Sequence, residues 1–117
     1  MAVGAHYLDK INPQALRMST PFAGGIGGTN EGLCGALAGG LMVIGGLHGR
    51  IDSKINDEQC MDLAALFIEK FLGHFCFSRC ADLKNNWVGK GSNGTCANLV
   101  AQAVGLLVDV LEGEEVK

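Results

Sequence analysis

Residues 21–50 read PFAGGIGGTNEGLCGALAGGLMVIGGLHGR, from Pro21 to Arg50, and this stretch decides the fold. Its first half is a loop holding Gly24, Gly25, Gly27 and Gly28. Such clustering suits a backbone that takes positive φ or approaches another group closely. Its second half, Leu33 to His48, is almost wholly small or apolar. A surface helix keeps a polar face. This one has none, so it is expected as a central helix covered on all sides. Thr29 or Asn30 is its expected N-cap, with Glu31 in the first turn where the helix dipole favours an anion. Gly35 and Gly39 are spaced GxxxG, which lets another helix approach closely, from the same chain or from a second copy. Gly49 ends the segment. At about 16 residues the run falls short of the ~20 that cross a bilayer, so no membrane insertion is expected.

Working outward from this helix, both flanks read as helical. Upstream, Val3, Tyr7, Leu8, Ile11 and Leu16 have roughly helical spacing, and Asn12-Pro13 breaks the run and starts a second short helix. Downstream, Arg50 to Asp57 is a polar linker. Asn56 then precedes DEQCMDLAALFIEKFL, in which Cys60, Met61, Leu63, Ala64, Phe67, Ile68 and Phe71 share one face, with Gly73 as the expected stop. The next segment, HFCFSRCADL, sets Cys76 and Cys80 four apart, on one face of a helical turn. Lys84 to Thr95 has the composition of a loop. Thr95 is placed to cap a last helix, Cys96 to Leu111, whose apolar positions are Leu99, Val100, Ala103, Val104, Leu107 and Val110. Gly113 and an acidic tail close the chain. The expected architecture is one all-α domain over residues 1–117, a compact bundle of about four to five helices around the glycine-rich central one.

Composition narrows the function. The 117 residues are 48% apolar but only 6% aromatic, so the core is expected to be built from Ala, Val, Leu and Gly. The formal charge is −3 and the nine basic residues are scattered, which argues against a nucleic-acid partner. The opening residues, MAVGAHYLDK, have neither the basic nor the apolar region of a targeting segment, and a cytoplasmic location is expected. No Walker A or Rossmann fingerprint is present.

Five cysteines, Cys34, Cys60, Cys76, Cys80 and Cys96, carry the chemical interest. An odd count without a signal peptide does not suit a stapled secreted fold. Cys34 and Cys96 stand at expected helix starts and Cys80 beside a third, where the positive end of the dipole is expected to lower a thiol's pKa. Cys60, on the apolar face of its helix, reads as packing. Absence of CxxC and CxxCH removes thioredoxin-like redox chemistry and covalent haem attachment.

In order along the chain, FAGGIGG, LCGALAGGLMVIGGLHG, FIEKFLGHFCFSRCADLK and TCANLVAQAVGLLVDVL resemble the C-GCAxxG-C-C family, to which redox activity is ascribed. The stretch Cys34-Gly35-Ala36-Leu37-Ala38-Gly39 stands for the named motif, with Cys-Gly-Ala in place of Gly-Cys-Ala. The family's later cysteines fall on Cys80 and Cys96. Its first cysteine, expected in a helix upstream of the glycine loop, has no counterpart before Cys34, so the domain is expected to lack that Cys-bearing helix start. A related domain occurs in split-Soret cytochromes, whose haem-attachment motif this chain lacks. The resemblance implies a redox protein with Cys34, Cys80 and Cys96 as its working residues and an unnamed redox partner. The chemistry is either reversible thiol–disulfide exchange or an iron–sulfur cluster or other thiophilic metal held by Cys34, Cys80 and Cys96 with Cys76. It also implies a small group received at Gly24, Gly25, Gly27, Gly28 and Gly35. The alternative is a non-catalytic binding or dimerisation module, transport-associated, whose glycine-rich helix is a homo-oligomer interface and whose cysteines only pack.

Overall fold

Asn12 opens the part of the chain described by the computed structural model, residues 12–116. Its side chain accepts a hydrogen bond from the Ala15 N–H at 2.8 Å, and Pro13 follows in the first turn, so α1 runs Pro13–Ser19 as the Asn-Pro pair predicts. The helix expected before it lies outside the described residues. A 3-10 turn, Thr20–Phe22, leads into the glycine loop. Four further helices follow: α2 Gly35–His48, α3 Glu58–Phe75, α4 Cys80–Asn86 and α5 Cys96–Val116. With no strand among the described residues, the architecture is all-α. Helices α2, α3 and α5 pack on one another around the core.

The central helix starts later than a Thr29 or Asn30 cap would place it, and the reason lies in the backbone. Asn30 is left-handed at φ 62°. The carbonyls of Asn30 and Gly32 accept from the N–H groups of Ala81 and Cys80 at 2.8 and 2.9 Å, and the Cys34 N–H donates to the Ser78 carbonyl at 2.8 Å. Leu33 and Arg79 form an isolated antiparallel bridge between these bonds. Residues 30–34 thus satisfy their polar groups against residues 78–81 and not along a helix. Cys34 becomes the N-cap residue, with no side-chain capping bond.

Nor is α2 covered on all sides. Leu37, Ala38, Gly40, Val43 and Ile44 are buried, while Gly45 and Gly46 are exposed. A helix can lack a polar face when its outer face is glycine, because there is then little apolar side chain to hide. The close approach expected across Gly35 and Gly39 occurs instead at Gly40. A β-carbon there would overlap the Phe67 ring, with Cζ at 2.6 Å, whereas one at Gly39 or Gly45 meets nothing within 4 Å. Phe67 is fully buried and cannot swing away. Gly40→Ala is therefore expected to cost about 2 kcal/mol by overpacking. Gly45→Ala, in the same helix, should stabilise by roughly 0.5–1 kcal/mol through helix propensity. Urea denaturation of the two variants should show shifts of opposite sign.

Helix α3 runs past Gly73 and ends two residues beyond it, where Cys76 takes the left-handed cap conformation at φ 71°. The Asn56 side chain, just outside the helix, accepts from the Glu58 N–H at 2.7 Å. Three phenylalanines of α3, Phe67, Phe71 and Phe75, are the largest side chains with no meaningful exposure. The core is thus aromatic at its centre, contrary to the expectation from bulk composition, because few aromatics suffice when spaced four apart on one buried face. Leu99, Ala103, Leu107, Val110 and Leu111 of α5 close the other wall. This helix runs to Val116, beyond the Leu111 at which the sequence places its end. Its window Cys96–Gly113 is long and apolar enough to cross a membrane, with 28% of it buried inside the fold.

Candidate thiol site

The three cysteines that sequence reasoning grouped come together. Cys34, Cys80 and Cys96 line one cavity of about 480 Å³, within the range of small-molecule sites. Each is carried by a helix start: Cys34 caps α2, Cys80 opens α4 and Cys96 opens α5. All five cysteines are free thiols, and the three differ in access: Cys96 is exposed, Cys34 is half-buried and Cys80 is 8% exposed.

The glycine loop holds this arrangement from one side. Gly24, Gly25, Ile26, Gly27 and Gly28 all have φ between 60° and 74°, a left-handed turn that includes a β-branched residue. The loop folds against Cys80: a β-carbon at Gly25 would overlap Cys80 Cβ and lie 3.0 Å from its sulfur. Gly24, Gly25 and Gly35 border the cavity together with Gly39; Gly27 and Gly28 do not. The GxxxG face of α2 accordingly opens on the cavity and not on a neighbouring helix of this chain.

Two further residues belong to the site: Lys84 borders the cavity, and Asn30 is hydrogen-bonded to both Lys84 and Cys80. Asn30 accepts hydrogen bonds on Oδ1 from the Cys80 thiol at 3.4 Å and from Lys84 Nζ at 3.1 Å. Lys84 has a loop-like sequence context, yet α4 extends through it and sets it one helical turn after Cys80, beside the cavity. The signal was present in CADLK, where a cation follows a cysteine at i+4.

Cys76 does not join. It is exposed at the left-handed end of α3, four residues before α4 begins, so Cys76 and Cys80 do not share the helical turn expected for them. Cys60 packs against the core. Among the described residues no group of three or more Cys, His, Asp or Glu is gathered to hold a metal ion. A cluster held by four thiolates does not fit a cavity bordered by three. His74 Nε2 donates to Gln102 Oε1 at 2.7 Å, tying α3 to α5.

The Cys34 thiol departs from expectation in the direction of its pKa. Burial pushes it up, and this outweighs the opposing hydrogen bonds from the Ala36 and Leu37 backbone; the neighbouring Cys80 and Cys96 sulfurs push it further up. The helix start does favour the thiolate, but desolvation wins. As pH rises through the ordinary thiol range, the unfolded chain ionises first and the folded one resists. The contribution of Cys34 to stability is therefore full below that range and lost as pH climbs to the raised value. Denaturation profiles from pH 7 to 10 should fall more steeply for the native chain than for Cys34→Ala, and iodoacetamide at pH 8 should modify Cys34 more slowly than the exposed Cys76.

No curated protein and no solved structure is detectably similar to the chain. Residues 1–110 match the family described as "Putative redox-active protein (C_GCAxxG_C_C)". The match takes in the glycine loop, α2, α4 and the start of α5, the segments that bring the three thiols to one cavity, and the chain belongs to the C-GCAxxG-C-C family.

Proposed function

We propose that the protein works by reversible thiol–disulfide exchange among Cys34, Cys80 and Cys96. The observation that carries this reading is their meeting at one cavity from positions 34, 80 and 96 of the chain. Cys96 is the exposed thiol and takes the incoming disulfide, RSSR. Its thiolate attacks one sulfur, the S–S bond breaks, a Cys96–SR mixed disulfide forms and one RS⁻ leaves. The Cys34 thiolate then attacks the Cys96 sulfur, closes an intramolecular disulfide and expels the second RS⁻. The protein loses two electrons and two thiol protons, and RSSR becomes two thiols. Cys80, hydrogen-bonded to Asn30, is the third sulfur to which the bridge can pass by the same exchange.

Equilibration with reduced and oxidised glutathione, followed by alkylation and peptide mapping, tests this. The expected outcome is one bridge per chain, joining Cys34 to Cys96 or Cys80, with Cys60 and Cys76 alkylated. Cys34→Ser should abolish the bridge to Cys34 altogether. Formation of no intramolecular bridge among the three over the whole range of buffers would overturn the reading.

A further inference from the structure

We infer that the cavity selects small disulfides carrying a negative charge, and that Lys84 is the residue that reads the charge. This rests on the exchange chemistry proposed above and names its substrate class.

The cavity walls are apolar on most sides, through Phe22, Met42, Leu83, Leu99 and Val100, and among the described residues Lys84 is the one charged residue that borders them. Its Nζ shares the Asn30 Oδ1 acceptor with the Cys80 thiol. The cation is thus tethered next to a sulfur by a neutral group that leaves its charge uncompensated. The other cation of this region is already spent. Arg79 is bound by Glu31 and Asp82, each at 3.0 Å. Among the described residues, no carboxylate pairs with Lys84. An apolar container with reactive sulfurs and a single unneutralised ammonium at its edge suits a ligand with an apolar body, an S–S bond and an anionic group. The Cys96 thiolate displaces one RS⁻ from such a ligand while its charged end rests by Lys84. Cys34 displaces the second, with the same two-electron balance.

Three disulfides separate the contributions: anionic 5,5′-dithiobis(2-nitrobenzoate), neutral 2,2′-dithiodipyridine and cationic cystamine. Rates of bridge formation are followed by quenching and peptide mapping, so that Cys60 and Cys76 do not contribute. Lys84→Met is expected to slow the anionic reagent roughly fivefold or more while leaving the neutral one unchanged and cystamine unchanged or faster. Lys84→Arg should restore the anionic rate, and the advantage should shrink at 1 M salt. Equal slowing of anionic and neutral reagents, or no slowing, would overturn charge selection and leave the exchange chemistry standing. Failure of the neutral reagent to produce a bridge in the native chain would remove the exchange chemistry and this inference with it.

Discussion

Phe75→Ala is expected to lower the stability of the protein by about 4 kcal/mol. The ring is 1% exposed. It lies 4.6 Å from Phe71, and Trp87 meets it edge-on at 5.2 Å. Truncation leaves a cavity among rigid aromatic neighbours that cannot collapse into it, and it removes three ring contacts, with Phe71, His74 and Trp87. Single domains hold only about 5–15 kcal/mol in total, so a large part of the folded population's margin disappears. The loss is not confined to α3. Trp87 follows directly on α4, and its N–H donates to the Leu83 carbonyl at 2.9 Å. Phe75 therefore anchors the far end of the short helix whose first residue is Cys80. In urea, the midpoint should drop sharply for Phe75→Ala and less for Phe75→Leu, which keeps most of the volume. Under native conditions the alkylation rate of Cys80, nearly inaccessible in the folded chain, should rise in the alanine variant through local opening of α4. A Phe75→Ala chain with an unchanged midpoint would mean that the aromatic row is not the core.

Much of this was legible beforehand where a local rule acts without competition. Asn12-Pro13 starts α1 because a cap and a pre-set φ need no tertiary help. The apolar face of α3 repeats with helical spacing, so its existence followed from period alone. The grouping of Cys34, Cys80 and Cys96 is what the family resemblance implies, and their places at or beside helix starts only support it. What failed depends on contacts between distant segments. The cap expected at Asn30 is lost because its carbonyl is taken by Ala81, fifty-one positions on in the chain numbering. Gly73 does not stop α3, since a glycine in a packed helix costs about 1 kcal/mol and no more, less than the burial of Phe75 returns. The GxxxG pair makes no close helix approach within this chain; that approach falls at Gly40, because only the position of Phe67 on the facing helix decides it. The direction of the Cys34 pKa was misjudged for the same reason: the local helix start is visible in sequence, whereas the burial that opposes it is supplied by the rest of the fold.

The second large effect is expected at Gly25, where Gly25→Ala should cost about 3 kcal/mol. Two independent penalties add. The residue sits at φ 66°, in the middle of the left-handed turn, a region that disfavours a β-carbon. That carbon would also overlap Cys80 Cβ and lie 2.8 Å from Asn30 Cα. The Asn30 atom is backbone, fixed by its bonds to Gly24 and Ala81 at 3.0 and 2.8 Å, so relief by a flexible side chain is not available. Relief has to come from moving the loop off α4, which breaks the hydrogen bonds of Asn30 to the Cys80 thiol and to Lys84. A change that only destabilised the fold would leave the site intact in whatever fraction remained folded. Gly25→Ala differs, because in the folded fraction itself Cys80 should alkylate faster, while the variant's preference for an anionic over a neutral disulfide should fall towards that of Lys84→Met. Gly28→Ala is the matched control. It carries the same backbone penalty at φ 74°, but its β-carbon meets nothing within 4 Å, so it should lose stability without altering Cys80. If the two variants lose equal stability and leave Cys80 equally protected, the glycine loop is a turn and not the clamp that seats the thiol.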